Sequence, residues 1–311
     1  MLEFIQALPK AELHVHLEGS IEPETLRRID PSLSIGEIRE HYGYTDFGGF
    51  LKSFAWVARR LKGPREYAIA ASGLLEGLAQ QNVRYAEITL SAGVALWMGL
   101  DLGAIHEALN RAAAGSKVEA WWIWDVTRQW GPVPAYDVLE MAVERRGEGV
   151  VGFGIGGDEA RGPAGWYRDI FERAKDKGLR LVCHAGETAG PESVEGALAI
   201  GAERIGHGIA CHQDPALMAR LAESDIPVEI SISSNVRTGA VSALGEHPVR
   251  RIFDAGVAVI LNTDDPPMFG TTLNGEYLLA ANEFGFTKEE LRRLAENSFR
   301  YAFRWNRPFP G

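Results

Sequence analysis

The chain has 311 residues, of which 46% are hydrophobic and 24% are charged. A chain of this length forms either two ordinary domains or one large α/β barrel. Its 32 Lys and Arg residues against 42 Asp and Glu residues give a net charge of −10. Because a negative surface repels phosphate backbones and anionic lipid, we expect neither nucleic acid nor a membrane surface as the main partner.

Targeting signals and cysteines set two further limits. The N-terminal segment lacks a basic start and a long apolar run, and nowhere do eighteen apolar residues follow one another. We therefore expect neither a signal peptide nor a transmembrane helix, and a cytoplasmic protein. With Cys183 and Cys211 as its two cysteines, the chain cannot build a disulfide framework or a Cys-x-x-Cys zinc site.

Short apolar runs alternate with amphipathic segments along the chain. The runs predicted as strands are Glu12–His16, Arg84–Leu90, Glu119–Val126, Val150–Ile155, Arg180–His184, Arg204–His207, Pro227–Ser231 and Val257–Asn262. The helical patterns are Arg65–Gln80, Asp101–Ala114, Ala135–Arg145, Ala164–Lys177, Glu192–Ile200, Pro215–Glu223 and Pro248–Ala255. Glycines such as Gly178 and Gly256 lie between a helical pattern and the next strand, which is typical of a helix C-terminus.

Eight strands separated by helices favour parallel β/α units, and eight such units close into a TIM barrel. We predict one α/β domain over residues 1–311, a (β/α)8 barrel with extra C-terminal helices. The segment Arg39–Leu61 fits neither a strand nor a regular helical pattern, and we interpret it as an insertion after strand one that covers the barrel mouth. An open doubly wound sheet is the competitor, but the glycines of Gly152–Gly157 have the wrong spacing for its phosphate turn.

His14 and His16 are the first candidate site residues. In a strand, residues two apart face the same side, so both imidazoles project together. On a barrel strand that side is the interior, near the end where ligands bind. One histidine there is typical of ordinary core packing, whereas two on one strand face are better explained by a metal.

Three further motifs follow predicted strands five, six and eight. They are His184 with Glu187, His207 between glycines, and the adjacent acids Asp264 and Asp265. Each motif alone is also compatible with an ordinary turn at a strand end. Together with the first pair they all lie at one end of the predicted barrel. Three neutral imidazoles and a carboxylate, with a position left open for water, suit zinc and indicate a hydrolase.

At these residues the chain resembles the adenosine deaminase family of the amidohydrolase superfamily. The matching segments are Pro9–Ser20, Gly156–Glu159, His184–Glu187, Arg204–Gly208, Ser233–Val236 with Thr238–Ala240, and Asn262–Pro266, in family order. The resemblance implies a TIM barrel with one zinc ion per chain. It also implies hydrolytic deamination of a 6-aminopurine nucleoside to the 6-oxo product and ammonia.

The resemblance assigns roles to individual residues. The implied zinc ligands are His14, His16, His184 and Asp264. The implied catalytic residues are Glu187, which would protonate the purine N1, His207, which would orient and help to deprotonate the water, and Asp264. The implied substrate-binding residues are His16, Glu18, Gly157, whose amide would contact N3, and Asp265, which would share a hydrogen bond at N7.

The substrate side departs from the family pattern at two positions. Glu18 stands where family members commonly have an aspartate that contacts ribose, and Gly154 stands where they often have an aspartate. Glu18 also resembles adenine deaminases and deaminases of 6-aminodeoxyfutalosine, a menaquinone precursor. The segments Ser234–Ala240 and Met268–Tyr277 resemble the nucleoside-acting branch. We therefore expect adenosine or a 5′-modified analogue as the small-molecule partner, with adenine as the alternative substrate.

Several questions stay open at the level of sequence. A non-catalytic nucleoside-binding protein on the same scaffold is a further alternative, and the sequence predicts no oligomeric state. Phe50 and Phe54 in the predicted insertion have the helical spacing typical of core residues, although they could also form a lid over a nucleoside. The place of Trp56 is open.

Overall fold

The computed structural model describes residues 1–311. Eight parallel strands form one sheet, in which each strand pairs with the next along the chain. The strands are β1 (Lys10–His16), β2 (Val83–Leu90), β3 (Glu119–Thr127), β4 (Val150–Gly156), β5 (Arg180–Ala185), β6 (Arg204–His207), β7 (Val228–Ile230) and β8 (Val259–Leu261). Each predicted run overlaps one of these strands. The predicted TIM barrel is confirmed.

Sixteen α-helices accompany the strands. They are α1 (Leu2–Ala7), α2 (Pro23–Ile29), α3 (Ile35–His41), α4 (Phe47–Ala58), α5 (Pro64–Gln80), α6 (Ala92–Trp97), α7 (Leu102–Ala114), α8 (Val133–Glu144), α9 (Arg168–Asp176), α10 (Pro191–Ala199), α11 (Pro215–Glu223), α12 (Ile232–Arg237), α13 (Val249–Asp254), α14 (Pro266–Phe269), α15 (Leu273–Phe284) and α16 (Lys288–Arg300). The seven helical patterns correspond to α5, α7 to α11 and α13, and the extra C-terminal helices are present.

The segment Arg39–Leu61 is helical, so the prediction that it follows no regular pattern is wrong. It contains the end of α3 and the whole of α4. The Asp46 side chain begins α4 by accepting a hydrogen bond from the Gly49 amide at 2.7 Å. Two glycines in the first turn lower the local helix propensity and conceal the pattern. Packing of the phenylalanines of α4 against the barrel compensates, because tertiary burial outweighs propensity.

The barrel closes between β1 and β8 at one isolated bridge, Val15 to Asp264. The His16 amide donates to the Asp264 carbonyl at 2.9 Å, and the Asp264 amide donates to the His14 carbonyl at 3.0 Å. Below this point the Asn262 side-chain oxygen accepts from the Leu13 and His14 amides. The junction of β1 and β8, which we call the seam of the barrel, therefore contains residues that the sequence predicts as metal ligands.

A buried arginine links three strands and the C-terminal segment inside the barrel. Arg204, at the start of β6, pairs with Glu87 on β2 and Glu229 on β7, and both carboxylates are fully buried. The guanidinium also donates to the Tyr301 carbonyl at 3.0 Å and lies 3.8 Å from the Phe303 ring centre. These contacts anchor the chain after α16 to the barrel interior.

The structure also bears on the predictions about cysteines and about membrane-spanning helices. Cys183 and Cys211 are buried free thiols. None of the helices combines the length and the apolar character needed to cross a membrane.

Candidate metal centre and active site

Four predicted ligands meet at the C-terminal ends of the strands. One ligand atom each of His14, His16, His184 and Asp264 lies within 4.8 Å of all the others. The Nε2 atoms of His16 and His184 are 3.1 Å apart, and Asp264 Oδ1 lies 3.3 Å from His16 Nε2 and 3.5 Å from His14 Nε2. Ligands around a tetrahedral zinc ion are separated by roughly 3.3 Å, given zinc–nitrogen bonds of about 2.0–2.1 Å. The distances between the four ligand atoms therefore fit a zinc ion.

Hydrogen bonds on the far side of the imidazoles determine which nitrogen faces the centre. His14 Nδ1 donates to the Glu229 carboxylate at 2.8 Å, and His184 Nδ1 donates to the Ile155 carbonyl at 3.2 Å. In each neutral ring Nε2 then carries the lone pair. His14 Nε2 is buried and has no hydrogen-bond partner, a costly arrangement that a bound cation would relieve.

The charges of the three histidines differ. Burial lowers the pKa of His16 to about 4 and that of His184 well below its usual range, so both are neutral donors of a lone pair. Burial also opposes a charge on His14, but the adjacent carboxylates of Asp264 and Glu229 raise its pKa to about 10. A metal that binds His14 must therefore displace a proton.

Two functional residues have left-handed backbone conformations although neither is glycine. The φ angle is 64° at Asp264 and 60° at His207, and such a conformation costs of order 1–3 kcal/mol. Hydrogen bonds hold the two side chains against this strain. Ser234 Oγ donates to Asp264 Oδ2 at 2.7 Å, and Asn235 Nδ2 contacts His207 Nδ1 at 3.0 Å. Helix α12, which begins after β7, supplies both partners.

A chain of hydrogen bonds fixes the proton position on His207. It begins at a backbone group, because the Val249 amide donates to His247 Nδ1 at 3.1 Å. The His247 proton is therefore on Nε2 and is donated to Asn235 Oδ1 at 3.1 Å. The Asn235 amide nitrogen then donates to His207 Nδ1. Neutral His207 consequently carries its proton on Nε2, which faces the Glu187 carboxylate at 3.5 Å.

Glu187 follows β5 on the loop after His184, as the sequence predicts. Burial raises the pKa of Glu187 to about 8, so a proton resides on this side chain at neutral pH. Its Oε1 accepts a hydrogen bond from Thr238 Oγ1 at 3.2 Å. A carboxylic acid that is protonated near neutrality and faces a cavity is suited to proton donation.

The loop that carries Glu187 is fixed by a second carboxylate, Glu159. Its oxygens accept hydrogen bonds from the amides of Gly186, Glu187 and Thr188 at 2.7, 2.9 and 2.9 Å, and from Ser193 Oγ. Sequence analysis placed Glu159 in a family motif without giving it a role. Its contact with three successive amides shows that it positions the loop that carries Glu187.

Asp265 is part of the cavity wall. Its Oδ1 is buried against Gly19 without a hydrogen-bond partner. Burial and the neighbouring Asp264 raise the pKa of Asp265 well above its usual range, so this side chain is a hydrogen-bond donor at neutral pH. Gly157, across the cavity, has a φ of 99°, and a Cβ there would lie 2.5 Å from Gln129 Oε1. This φ and this close approach favour glycine at position 157 in the cavity wall.

One cavity of about 290 Å³ lies above the metal centre, close to the lower limit of small-molecule pockets. The predicted site residues in its wall are His16, Gly157, His184, Glu187, His207, Asp264 and Asp265. Helix α4 covers the cavity, and Phe50 and Phe54 line it while packing against the core. Phe50 and Phe54 thus belong both to the hydrophobic core and to the helix that covers the cavity. Trp56 lies outside the cavity and stacks on His41 at 3.8 Å.

Glu18 does not line the cavity. It is buried behind the wall, and its carboxylate accepts a hydrogen bond from the Ser91 amide at 3.1 Å. Ser91 lines the cavity instead, as does Asp125 near the C-terminal end of β3, whose buried carboxyl group sequence analysis missed. An acid within an otherwise apolar strand was the available signal for Asp125. A Cβ at Gly156 would lie 2.8 Å from Asp125 Oδ2, so glycine makes room for this carboxylate.

Replacing Glu229 by glutamine is expected to weaken zinc binding about 10–100-fold, the usual effect of removing a hydrogen-bond acceptor from a ligand histidine. The change weakens the acceptor that orients the His14 ring. A competition titration against a chromophoric chelator measures the affinity. Glu203→Gln is the matched control, because Glu203 pairs with an exposed arginine, Arg180, and contacts no ligand. Equal zinc affinity in the two variants would contradict the role of Glu229.

Comparison with known proteins agrees with this geometry. The model of the adenosine deaminase family matches residues 9–306. An aminodeoxyfutalosine deaminase of Streptomyces avermitilis is 40% identical over 314 residues, covering 96% of this chain and 88% of the relative. An adenine deaminase of Agrobacterium fabrum is 35% identical over 305 residues, covering 95% of this chain and 94% of the relative.

A solved structure with the same fold contains a metal ion. The crystal structure of an amidohydrolase from Burkholderia ambifaria with bound zinc has a TM-score of 0.89 and 27% identity, covering 97% of this chain and 87% of that one. The match to the family extends over nearly the whole chain, through every strand of the barrel and all four residues of the metal cluster. The chain therefore belongs to the adenosine deaminase family.

Proposed function

We propose that this protein is a zinc-dependent aminohydrolase of 6-aminopurine nucleosides, converting adenosine or a 5′-modified analogue such as 6-aminodeoxyfutalosine to the 6-oxo product and ammonia. One observation carries the proposal: a buried carboxyl group that retains a proton near neutrality, Glu187, faces the same cavity as the four-residue metal cluster. Deamination at C6 needs both groups, because the metal would activate the attacking water and a proton on N1 neutralises the negative charge that the attack places on the ring.

The metal and the acid have separate tasks in this proposal. One zinc ion per chain, held by His14, His16, His184 and Asp264, would supply a Lewis acid that lowers the pKa of water towards neutrality. Glu187 would donate its proton to N1 of the purine. The contacts of Glu159 with the loop amides keep this acid at a fixed position.

Three residues would orient the purine and the water. Protonated Asp265 would donate a hydrogen bond to N7, an acceptor, and the Gly157 amide would donate to N3. His207 would orient the attacking water through its Nε2–H, because the hydrogen bond from Asn235 keeps the proton on that nitrogen. In this tautomer neutral His207 is a hydrogen-bond donor towards the cavity, and its burial lowers the pKa to about 4, which keeps it neutral.

The sugar end of the substrate would meet His16, as the sequence predicts, together with Ser91 and Asp125 in place of Glu18. All three line the cavity. Burial raises the pKa of Asp125 well above its usual range, so its carboxyl group would both donate and accept hydrogen bonds with ribose hydroxyl groups. Glu18 would act indirectly, since it holds the Ser91 amide. For 6-aminodeoxyfutalosine as the substrate, the reaction would belong to menaquinone biosynthesis, as the name of the Streptomyces relative suggests.

Kinetic comparison of adenosine, 6-aminodeoxyfutalosine and adenine tests the proposal. We expect the zinc-loaded protein to deaminate one of the nucleosides with a kcat/KM of about 10⁴–10⁸ M⁻¹s⁻¹, the ordinary enzymatic range. Loss of the aminopurine absorbance and release of ammonia measure the reaction, and protein stripped of metal by a chelator is the control. Zinc-loaded protein that deaminates none of the three compounds would refute the proposal.

Adenine deamination is the second candidate, favoured by the 35% identical adenine deaminase. The same assay separates the two, because a free base leaves Asp125 and Ser91 without a sugar to contact. A higher kcat/KM for adenine than for both nucleosides would select this candidate. Tight nucleoside binding without turnover by the zinc-loaded protein would instead indicate a non-catalytic binding protein.

A further inference from the structure

Helix α15 carries a buried glutamate on the face that packs against the core. Leu273, Glu276, Tyr277 and Ala280 are the buried residues of this helix and have the spacing of a single helical face. Leu273, Tyr277 and Ala280 belong to the hydrophobic core, whereas Glu276 brings a fully buried carboxyl group to the same face. Burial of a carboxyl group is costly unless hydrogen bonds compensate. The partners of Glu276 therefore decide what this residue contributes.

Both oxygens of the Glu276 carboxyl group accept hydrogen bonds. Oε2 accepts from the amides of Ile232 and Ser233 at 2.8 and 3.2 Å, and Oε1 accepts from Thr271 Oγ1 at 2.6 Å. The two amides lie in the first turn of α12, where an amide has no carbonyl of its own helix to bind. Ser231, which precedes the helix, makes no capping hydrogen bond with its side chain. Glu276 therefore takes the place of a cap and joins the start of α12 to α15.

Helix α12 and the residue that follows it contact three groups that the proposed reaction uses. The hydrogen bonds run from Ser234 to Asp264, from Asn235 to His207 and from Thr238 to Glu187. No residue of α12 lines the cavity, so we expect the helix to act on these groups without contacting the substrate. The position of one short element thus bears on a predicted metal ligand, on the histidine that would orient water and on the acid.

We propose that Glu276 is a positioning residue for deamination, which keeps the metal ligand, the water-orienting histidine and the acid in alignment by joining α12 to α15. The inference rests on the proposed function, although the contact of Ser234 with the metal cluster does not depend on the substrate. Glu276 lies outside the cavity wall and acts only through α12. Without its hydrogen bonds the first turn of α12 is released, and a displacement of about 1 Å at a reacting group costs about 10²-fold in rate.

Glutamine can take over the hydrogen bonds of Glu276. Its amide oxygen can accept from the Ile232 and Ser233 amides, and its amide nitrogen can donate to Thr271 Oγ1. Because burial raises the pKa of Glu276, a neutral side chain is compatible with this position. Alanine removes all three hydrogen bonds. The comparison of Glu276→Gln with Glu276→Ala therefore separates the effect of the hydrogen bonds from that of the charge.

Steady-state kinetics and a chelator competition titration for zinc test the proposal. We expect Glu276→Ala to lower kcat about 10²-fold for the nucleoside that the wild type deaminates best. KM should change less than about twofold, because the cavity wall is intact. Zinc binding should weaken about tenfold, since Ser234 no longer holds Asp264 in place. Glu276→Gln should recover most of both losses.

Leu109→Ala is the control for a loss of stability alone. Leu109 is fully buried on α7, which lies between β2 and β3, across the barrel from α12. Its truncation leaves a cavity in the core and destabilises the protein. The variant should nevertheless retain the wild-type kcat and zinc affinity.

Glu276→Ala with the wild-type kcat and zinc affinity would overturn the positioning role, as would losses that Glu276→Gln does not recover or that Leu109→Ala shares. If no nucleoside is deaminated, the proposed function fails and zinc affinity alone decides. Weaker zinc binding in Glu276→Ala that Glu276→Gln restores then supports the inference, and equal binding refutes it. If Glu276→Ala does not fold, Glu276→Asp takes its place with the same expectations, because its shorter side chain cannot span from α15 to α12.

Discussion

Glu187→Gln is expected to lower kcat for nucleoside deamination by about 10²–10⁴-fold, the usual contribution of a positioned general acid. Glutamine has nearly the same shape and can still accept the hydrogen bond from Thr238, but its amide cannot protonate N1. Because the proton is needed only as C6 is attacked, KM should change much less than kcat. Steady-state kinetics on protein loaded with one equivalent of zinc measures both constants.

Two controls make this result specific for the acid. Glu192→Gln alters an exposed carboxylate near the start of α10, a few residues along the chain, and should leave kcat unchanged. The zinc affinity of Glu187→Gln should equal that of the wild type, since Glu187 is not among the four clustered ligands. A variant that retains the wild-type kcat would show that another group protonates the purine.

Arg204→Met is expected to lower the free energy of unfolding by about 3–5 kcal/mol, the cost of leaving buried charges without their partner. Methionine fills much of the space, but it leaves Glu87 and Glu229 facing each other inside the barrel. Urea unfolding in the presence of a chelator measures the change, because the chelator removes any contribution from metal binding through His14. An unchanged m-value would confirm that the stability itself has changed.

Arg180→Met is the matched control for this prediction. Arg180 also pairs with a glutamate, Glu203, and also lies over the Phe303 ring, but it is 46% exposed. Exposed ion pairs contribute about 0–1 kcal/mol, so the control should be nearly neutral. Adding Glu87→Gln to Arg204→Met should restore part of the lost stability by removing one buried charge. Equal stability of the two single variants would show that the buried network contributes no more than a surface pair.

The barrel and the metal ligands are predictable from sequence because both depend on local patterns. Apolar runs identify the strands, and strand alternation places His14 and His16 on one face. The ends of parallel strands meet at one end of a barrel, which brings in His184, Glu187, His207 and Asp264 without knowledge of any long-range contact. The same reasoning applies to Asp125 near the C-terminal end of β3, but the tryptophans of that strand indicate packing and conceal the acid.

The hydrogen bonds that orient these groups are not predictable in this way. Glu229, which accepts from His14, and Asn235, which fixes the proton of His207, are recognised only when distant segments are seen together. Nothing local reveals whether Glu18 points into the cavity or towards the Ser91 amide, because both directions are compatible with its position after β1. Side-chain direction depends on packing, which a one-dimensional pattern does not encode.

The seam between β1 and β8 has a consequence for the biosynthesis of the protein. Two histidines of the cluster, at positions 14 and 16, are synthesised before Asp264, which lies about 250 residues further along the chain. The bridge that joins Val15 to Asp264 cannot form earlier. A nascent chain therefore carries an open sheet edge and an incomplete metal centre until β8 has been made. The four clustered residues can therefore come together only when the barrel closes.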